Sequence, residues 1–353
     1  MSSIQNNICA FSELGNFLSR FSGKSIQKRE KIPYSELFFD GFQHQITLAE
    51  ENNAWFTKDN ILFSLAYWAK ALQKENLEKW ISGKHIGKNT SKRVAIIMAG
   101  NIPLTGFHDF LSVLISGHAV LVKQSSNDKH LLPYLAKYLA SVNASFKENI
   151  TFTEDTIDHF DAVIATGSNN TARYFEYYFR NKPGIIRKNR NSVAVIQGNE
   201  TEQDFENLSK DIFRYFGLGC RSVSKLFVPK SFDFDLFFKG MYKQHQIINH
   251  RKYANNYDYN KAVYLMSAFD MLENGFLIIK EDKSHASPIA SIFYEYYDDP
   301  VNLKIKLHRE AAHIQCIVAK NFIENEVKFG QTQYPVLWDY ADGINTLDFL
   351  SEI

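Results

Sequence analysis

The chain has 353 residues, with 40 Lys and Arg against 39 Asp and Glu and a formal net charge of +1. At about 150 residues per domain this length suggests two domains, and the neutral balance gives no reason to expect a nucleic-acid partner. Apolar residues make up 45% of the chain and charged residues 22%, a composition that excludes an intrinsically disordered protein.

The first residues lack the basic segment and apolar run of a signal peptide, and no stretch approaches the roughly 18 apolar residues of a membrane span. We therefore expect a cytoplasmic protein without an integral membrane segment. The cysteines are Cys9, Cys220 and Cys316. They lie far apart and match no zinc spacing, so we expect neither a metal site nor a disulfide framework.

The first 90 residues predict mainly helix. One helix is predicted with Asp59 as its cap, because apolar residues recur behind it at helical spacing, at Ile61, Leu65, Trp68 and Leu72. From Arg93 onward, β-branched runs alternate with helical ones. Strands are predicted at 93–99, 119–123, 161–166 and 193–197. The alternation implies βαβ units and a parallel sheet.

A second α/β region follows. The pattern predicts a helix over 204–216 whose apolar face includes Phe205 and Phe216, a glycine-flanked turn at 217–220 and a strand at 224–228. Further strands are predicted at 276–280, 290–297 and 314–319. The fold class is thus α/β, with a helical N-terminal region and a parallel-sheet domain in 1–190, a second α/β domain in 191–326 and a closing segment in 327–353.

Cys220 is the cysteine best suited to chemistry. A cysteine is most often a small buried apolar residue, and Cys9 and Cys316 fit that interpretation. Gly217 and Gly219 flank Cys220 and allow a backbone that presents the thiol to a cleft, as a nucleophilic thiolate requires. The neighbouring Arg221 can assist if its side chain points the same way.

Three polar signals follow predicted strands, where ligands bind in open α/β sheets. Asn101 follows the first strand, and an amide there can donate to an oxyanion. Lys123 ends the second strand and can reach a ribose or a 2′-phosphate. Thr166, Gly167 and Ser168 precede a helix whose N-terminus can hold phosphate. Each signal also has an ordinary interpretation as a turn residue or solvated strand end, and the usual Gly-x-Gly-x-x-Gly fingerprint is absent.

The order of these features resembles the aldehyde dehydrogenase superfamily. Residues 101–125 resemble its oxyanion Asn followed by its cofactor Lys, residues 165–175 (ATGSNNTARYF) its Thr-Gly-Ser cofactor loop, and residues 216–229 (FGLGCRSVSKLFVP) its nucleophile turn. Residues 329–350 (FGQTQYPVLWDYADGINTLDFL) are similar to the closing segment of a narrower group, the acyl-CoA reductases similar to LuxC.

The resemblance implies a fold with a nicotinamide-binding domain and a catalytic domain. It implies Cys220 as the nucleophile and Asn101 as the oxyanion donor. NADPH or NADH would be held by the residues at the strand ends, namely Lys123, Ser125, Thr166, Gly167 and Ser168. The implied reaction reduces an acyl-CoA, acyl-carrier or acyl-protein thioester, expected to be long-chain, to the fatty aldehyde through an acyl-Cys220 intermediate.

The sequence departs from the superfamily at informative positions. The water-activating Glu would fall within 186–191 (IRKNRN), which has no carboxylate. This favours exchange with a thiol over hydrolysis of the acyl group. Leu218 replaces a Gln of the nucleophile turn. The Glu that grips the nicotinamide ribose is not visible, and Ser284 or His285 falls near its place.

Two other functions stay open. One is a cysteine-dependent acyltransferase that uses no nicotinamide, and the other is a non-catalytic partner that binds acyl groups or nucleotides within a complex. A homodimer and a complex with an acyl-transferring partner are both open as well. Several aromatic residues can line an acyl channel or form core, namely Phe234, Phe237, Phe238, Tyr253, Tyr257 and Tyr259.

Overall fold

A computed structural model describes residues 3–22, 35–84, 86–87 and 90–353, so part of the predicted helical region 1–90 lies outside the described residues. The chain divides into two units. The first consists of residues 1–188 and 336–353, and the second of residues 189–335. The sequence placed its boundaries after residues 190 and 326. The last 18 residues of the predicted closing segment 327–353, from residue 336, belong to the first unit.

The first unit begins with helices α1 (Ser3–Leu18), α2 (Ser35–Asn52), α3 (Lys58–Ala71) and α4 (Lys74–Ile81). The predicted cap of α3 was wrong by two residues, because the side chain of Thr57 accepts from Asn60 N at 3.3 Å. Asp59 lies instead in the first turn, where a carboxylate is favoured by the helix dipole. Among the described residues, no helix is both long and apolar enough to cross a membrane.

A parallel sheet of five strands follows, in the order β3-β2-β1-β4-β5. Its strands are β1 (Arg93–Ile97), β2 (Ala119–Lys123), β3 (Ile150–Thr153), β4 (Ala162–Thr166) and β5 (Gly184–Arg187). The helices between them are α5 (Phe107–Ile115), α6 (Leu131–Val142), α7 (Phe146–Asn149) and α8 (Asn169–Tyr178). Val94 and Ile96 of β1 pack into one apolar cluster and Ala95 into another, so both faces of the central strand are buried.

The second unit contains a sheet of six strands in the order β11-β6-β7-β10-β9-β8, parallel except for β8 against β9. Its strands are β6 (Asn191–Val195), β7 (Val223–Pro229), β8 (Met271–Glu273), β9 (Ile278–Glu281), β10 (Ser291–Tyr297) and β11 (Ile314–Val318). Its helices are α9 (Glu202–Phe213), α10 (Phe234–Met241), α11 (Arg251–Met266) and α12 (Pro300–Arg309). Helix α9 starts with a capping box formed by Thr201 and Asp204.

The predicted helix over 204–216 extends too far, because α9 ends at Phe213. Residues Tyr215, Phe216 and Gly217 follow in the left-handed conformation, with φ of 55°, 57° and 77°. Phe216 therefore does not lie on the helix face that its spacing predicted.

The chain returns to the first unit after residue 335, and helix α13 (Thr346–Glu352) is its last element. Leu337, Leu347 and Leu350 are buried in the main apolar cluster of the first unit. The α/β architecture with a parallel sheet confirms the predicted fold class.

Candidate active site

The carboxyl ends of β1, β2 and β4 meet at one edge of the first sheet. In the parallel register, Ile97 pairs with Lys123 of β2 and with Ala165 of β4. The loops that follow these strands are therefore neighbours. The structure thus brings together the predicted residues of the first unit at this edge, namely Asn101, Lys123, Ser125, Thr166, Gly167 and Ser168.

The loops after β1 and β2 approach each other closely at Gly100. A Cβ atom on Gly100 would lie 2.5 Å from Ser125 Oγ, too close for any other residue without a shift. Ser125 Oγ in turn accepts from Asn127 N at 3.3 Å. Ser125 therefore lies at the contact between these two loops.

Asn101 is exposed at the start of the loop after β1. Thr105 Oγ1 lies 3.4 Å from Asn101 Oδ1, so the oxygen of the amide faces Thr105. Further along the loop, Leu104 N donates to Asp128 Oδ2 at 2.8 Å, and Leu104 has a φ of 59°. Asp128 thus holds a left-handed residue of the loop that carries Asn101.

Lys123 places its charge at the same edge. Its side chain is half-buried, and Nζ donates to the carbonyl oxygen of Asp155 at 2.9 Å. A lysine in this position suits the anionic part of a nucleotide, because its ammonium donates in several directions.

The Thr-Gly-Ser loop ends β4 and caps α8. Ser168 Oγ accepts from Thr171 N at 3.2 Å and is the N-cap. Gly167 N donates to the carbonyl of Arg187 at 3.3 Å, so this amide serves the sheet. The predicted binding of phosphate at this loop would therefore rest on the positive end of α8. Together with Lys123, it fits a dinucleotide with a pyrophosphate.

Cys220 lies in the second unit, on the turn between α9 and β7. The turn contains the left-handed residues 215–217 and is closed by hydrogen bonds from Leu218 N to Tyr215 O (3.0 Å) and from Ser222 N to Gly219 O (2.9 Å). A left-handed residue other than glycine costs about 1–2 kcal/mol. Packing offsets part of this cost, because the Phe216 ring lies 4.3 Å from the ring of His250. The thiol of Cys220 is exposed, whereas that of Cys316 is buried in β11.

The thiol opens onto a cavity of about 260 Å³ within the second unit. Its apolar lining includes Phe213, Phe216 and Leu277. Its polar lining comes from residues 189–191 and from three serines, namely Ser287 in the loop before β10, Ser291 at the start of β10 and Ser224 in β7. Of the six aromatic residues predicted for an acyl channel, Tyr253 lines this cavity.

The cavity carries no acid in its described lining. The lining residues all belong to the described stretch 189–292, and none of them is Asp or Glu. Among these lining residues, Arg190 is the single charged one. The stretch without a carboxylate that the sequence singled out, 186–191, thus contributes Asn189, Arg190 and Asn191 to the cavity of Cys220.

One part of the Cys220 cavity could not be found from the sequence, whereas Arg221 and His285 were both singled out by it. The loop 286–290 lines the cavity, but no residue type or spacing in it signals a site. Arg221 directs its Nε to the carbonyl of Thr332 at 2.5 Å. His285 Nε2 lies 2.9 Å from Glu310 Oε2, and burial lowers the pKa of His285. The carbonyl of His285 accepts from Ser224 Oγ, a residue of the cavity, at 2.6 Å.

In sequence, the chain matches a family model and a curated relative. A model of the acyl-CoA reductase (LuxC) family matches residues 51–239. A long-chain acyl-protein thioester reductase from Aliivibrio fischeri is 22% identical over 254 residues, which cover 66% of this chain and 52% of that protein. The chain thus spans about half the length of this curated relative.

Solved structures of aldehyde dehydrogenases share the fold. Aldehyde dehydrogenase 21 from Physcomitrella patens, in complex with succinate, has a TM-score of 0.65 at 12% identity, covering 99% of this chain and 87% of its own. The indole-3-acetaldehyde dehydrogenase of P. syringae, in complex with NAD+ and IAA, has a TM-score of 0.63 at 12% identity, covering 95% and 75%. These likenesses confirm the predicted aldehyde-dehydrogenase-like fold.

Proposed function

Because this chain belongs to the acyl-CoA reductase (LuxC) family, we propose that it reduces an acyl thioester to an aldehyde, with Cys220 as the nucleophile and a nicotinamide cofactor. The observation that carries the proposal is the exposed Cys220 thiol on a cavity whose described lining has no carboxylate. A thiol there can accept an acyl group, and no residue in the described lining of this cavity is a carboxylate that would activate water against it.

In the first step, the Cys220 thiolate attacks the carbonyl carbon of the thioester. A carbon–sulfur bond to Cys220 forms, and the bond to the donor thiol breaks. The leaving thiolate takes up the proton that Cys220 released, so the products are acyl-Cys220 and a free thiol. Asn101 stays the predicted oxyanion donor, a role whose loss typically costs about 100-fold or more in rate.

In the second step, the acyl group leaves as an aldehyde. When bound, the reduced nicotinamide supplies the hydride that brings the acyl carbon to the aldehyde level. The tetrahedral thiohemiacetal anion then collapses to the aldehyde, and Cys220 departs as a thiolate. One proton from solvent per turnover replaces the proton that leaves with the donor thiol. Lys123 and the N-terminus of α8 would hold the anionic dinucleotide, with Ser125, Thr166, Gly167 and Ser168 around it. Lys123 can meet either a ribose or a 2′-phosphate, so both NADPH and NADH are candidates.

The lining residues also account for the choice between hydrolysis and reduction. Asn189 and Asn191 are neutral amides, and Arg190 is a cation, and none of these groups removes a proton from water at neutral pH. We therefore expect acyl-Cys220 to persist until it is reduced or transferred to a thiol. The donor stays open between acyl-CoA and acyl-protein thioesters. The family description names acyl-CoA and the name of the A. fischeri relative an acyl-protein thioester, so both donors are tested.

The test is a reductase assay on the full chain. We expect consumption of NADPH or NADH when acyl-CoA or acyl-protein thioesters of increasing chain length are added. The loss of reduced-nicotinamide absorbance measures this consumption. Cys220→Ala should abolish turnover and covalent labelling by radioactive acyl groups, because no other exposed cysteine lies among the described residues. Cys316→Ala, a change at a buried cysteine in β11, is the matched control and should retain labelling.

Three outcomes would contradict the proposal. Thioester reduction by Cys220→Ala would exclude the covalent mechanism. Acyl transfer by the wild-type chain without consumption of NADPH or NADH would favour the acyltransferase. No labelling and no turnover, with Cys220 no more reactive to iodoacetamide than Cys9, would favour the non-catalytic binding partner.

A further inference from the structure

Asp211 is a buried carboxylate on the last turns of α9, nine residues before Cys220. It is 1% exposed. Its Oδ1 accepts from Thr332 N at 3.0 Å and from Thr332 Oγ1 at 2.9 Å, and its Oδ2 accepts from Gly330 N at 2.6 Å. One carboxylate thus binds three donors of a single loop, residues 330–332.

Arg221 reaches the same loop from the other side of the nucleophile turn. It directly follows Cys220, and its Nε donates to Thr332 O at 2.5 Å. Thr332 is fully buried. Its N–H and its hydroxyl donate to Asp211, and its carbonyl accepts from Arg221. The loop 330–332 is therefore bonded to the chain both before and after Cys220.

The loop is fitted closely against α9. Gly330 has a φ of 82°, and a Cβ there would lie 3.1 Å from Asn207 Cβ, one turn of α9 before Asp211. A residue with a side chain would meet both a conformational and a steric cost. This fit keeps the donors of the loop in register with the Asp211 carboxylate.

We propose that Asp211, Thr332 and Arg221 form a clamp that fixes the turn carrying Cys220, and that they are positioning residues for the nucleophile. Residues 215–217 of the turn are left-handed. The turn has two backbone hydrogen bonds of its own, and Ser192 Oγ donates to the carbonyl of Cys220 at 3.0 Å. An arrangement of this kind keeps its strain only where surrounding contacts determine it.

The clamp explains how an exposed thiol can be held in one orientation. The side chain of Cys220 is exposed, so the backbone of the turn largely sets the direction in which it leaves the chain. Anchors on both sides of the turn fix the backbone, and therefore the starting point of the side chain. A displacement of about 1 Å at a reacting group can cost about 100-fold in rate. This role rests on the proposed function of Cys220 as the nucleophile.

The experiment compares full-length variants by hydrogen exchange and by reductase kinetics. Arg221→Met removes the donor to Thr332 O, and Arg221→Lys restores one. Thr332→Val removes the hydroxyl at nearly constant volume, and Thr332→Ser restores it. Arg309→Met is the control, because Arg309 is an exposed arginine of the same unit that forms an ion pair with the adjacent Glu310 at 4.0 Å.

We expect the amides of Leu218 and Ser222 to exchange about 10-fold faster in Arg221→Met and Thr332→Val, while the amides of β7 keep their protection. We expect kcat to fall roughly 10- to 100-fold with KM little changed. Arg221→Lys and Thr332→Ser should recover most of both values. Arg309→Met should match the wild type.

The proposal is overturned if exchange in the turn is the same in Arg221→Met and Arg309→Met. It is also overturned if exchange rises equally throughout the second unit, since the contacts would then serve general stability. If Arg221→Met does not fold, Thr332→Val decides. Exchange needs no substrate, so a wild-type chain that reduces no thioester would refute the proposed function and leave the exchange result intact. Faster exchange with unchanged kcat would refute the positioning role alone.

Discussion

Asp128 is a buried carboxyl group whose two oxygens differ in hydrogen bonding. Oδ2 accepts from Leu104 N, whereas Oδ1 has no hydrogen-bond partner among the described residues. Burial raises the pKa of Asp128 from 3.8 to about 7, and the hydrogen bond from Leu104 opposes this shift. The group therefore titrates near neutral pH at the base of the loop that carries Asn101.

This pKa predicts a dependence of stability on pH. Because the pKa is higher in the folded than in the unfolded state, the folded state binds more protons between about pH 4 and pH 7. Stability from this group is present at low pH and falls as pH rises toward 7, by up to about 1.4 kcal/mol per pH unit. In Asp128→Asn, which keeps an acceptor for Leu104 N, this slope should vanish.

The measurement is urea unfolding of wild type and Asp128→Asn between about pH 5 and pH 8, with tryptophan fluorescence as the readout. The difference between the two proteins is the quantity of interest, because buried His108 and His118 also titrate, with pKa values lowered by burial. A difference in unfolding free energy that stays constant across this range would show that Asp128 does not titrate as described.

At the scale of elements, α13 shows how a short helix is held by another part of the chain. Leu347 and Leu350 are fully buried in the main apolar cluster, and Leu350 O lies 2.9 Å from His118 Nε2. Asn345 caps the helix by accepting from Asp348 N at 3.3 Å. A helix of this length has little stability of its own, so its burial decides whether it forms.

We therefore expect Leu350→Ala to destabilise the first unit by about 2–5 kcal/mol, since it leaves a cavity in the cluster. Ile344→Ala is the matched control, because Ile344 is 40% exposed in the turn before α13, and it should cost much less. The measurement is the thermal midpoint of each variant. Equal midpoints for the two variants would show that α13 does not contribute to the core.

The predicted elements succeed where burial makes the sequence signal strong. Strand β2 has the predicted bounds, since its central residues are buried. Strands β3 and β5 were missed. They have four residues each and lie at the two edges of the first sheet, where fewer apolar residues are required. The error at Phe216 has another cause, because helical spacing continues past the point where the backbone turns left-handed.

The candidate site was predictable to the extent that a motif or a strand end marks it. Parallel strands bring their carboxyl ends to one edge, so Lys123 and Ser168 could be placed together from the sequence. Thr332 could not be linked to Cys220 in this way. It is separated from Arg221 by 111 positions, and its contacts with Arg221 and Asp211 depend on how loops pack, which leaves no periodic signal.

At the scale of the whole molecule, the first unit is built from two separate stretches of chain, 1–188 and 336–353. The side chain of Arg187 contacts both of them. Arg187 lies just before the chain enters the second unit, and it forms a bidentate pair with Asp109 at 2.7 and 3.3 Å. The same guanidinium donates to Ala341 O at 2.8 Å and to Thr346 Oγ1 at 3.0 Å, in the stretch that returns. Both members of the ion pair are buried.

Removal of one partner should therefore be severe. We expect Arg187→Met to cost about 3–5 kcal/mol, because Asp109 would stay buried without its cation. The double variant Arg187→Met/Asp109→Leu should recover part of this loss. Arg180→Met, at an exposed arginine of the same unit, should change stability little. Tryptophan fluorescence during urea unfolding is a specific measurement, since all four tryptophans lie in the first unit. A loss no larger than that of Arg180→Met would contradict the prediction.

The division of the first unit also sets an order of events at the ribosome. The stretch 336–353 supplies part of the core of this unit, yet it is synthesised after the whole of 189–335. Domains usually fold as units and from the N-terminus during synthesis. Here the second unit, which carries Cys220, is completely synthesised before the last residues of the first unit. Nascent chains that stop short of residue 336 should therefore expose apolar surface of the first unit, and such chains are the ones that chaperones would be required to protect.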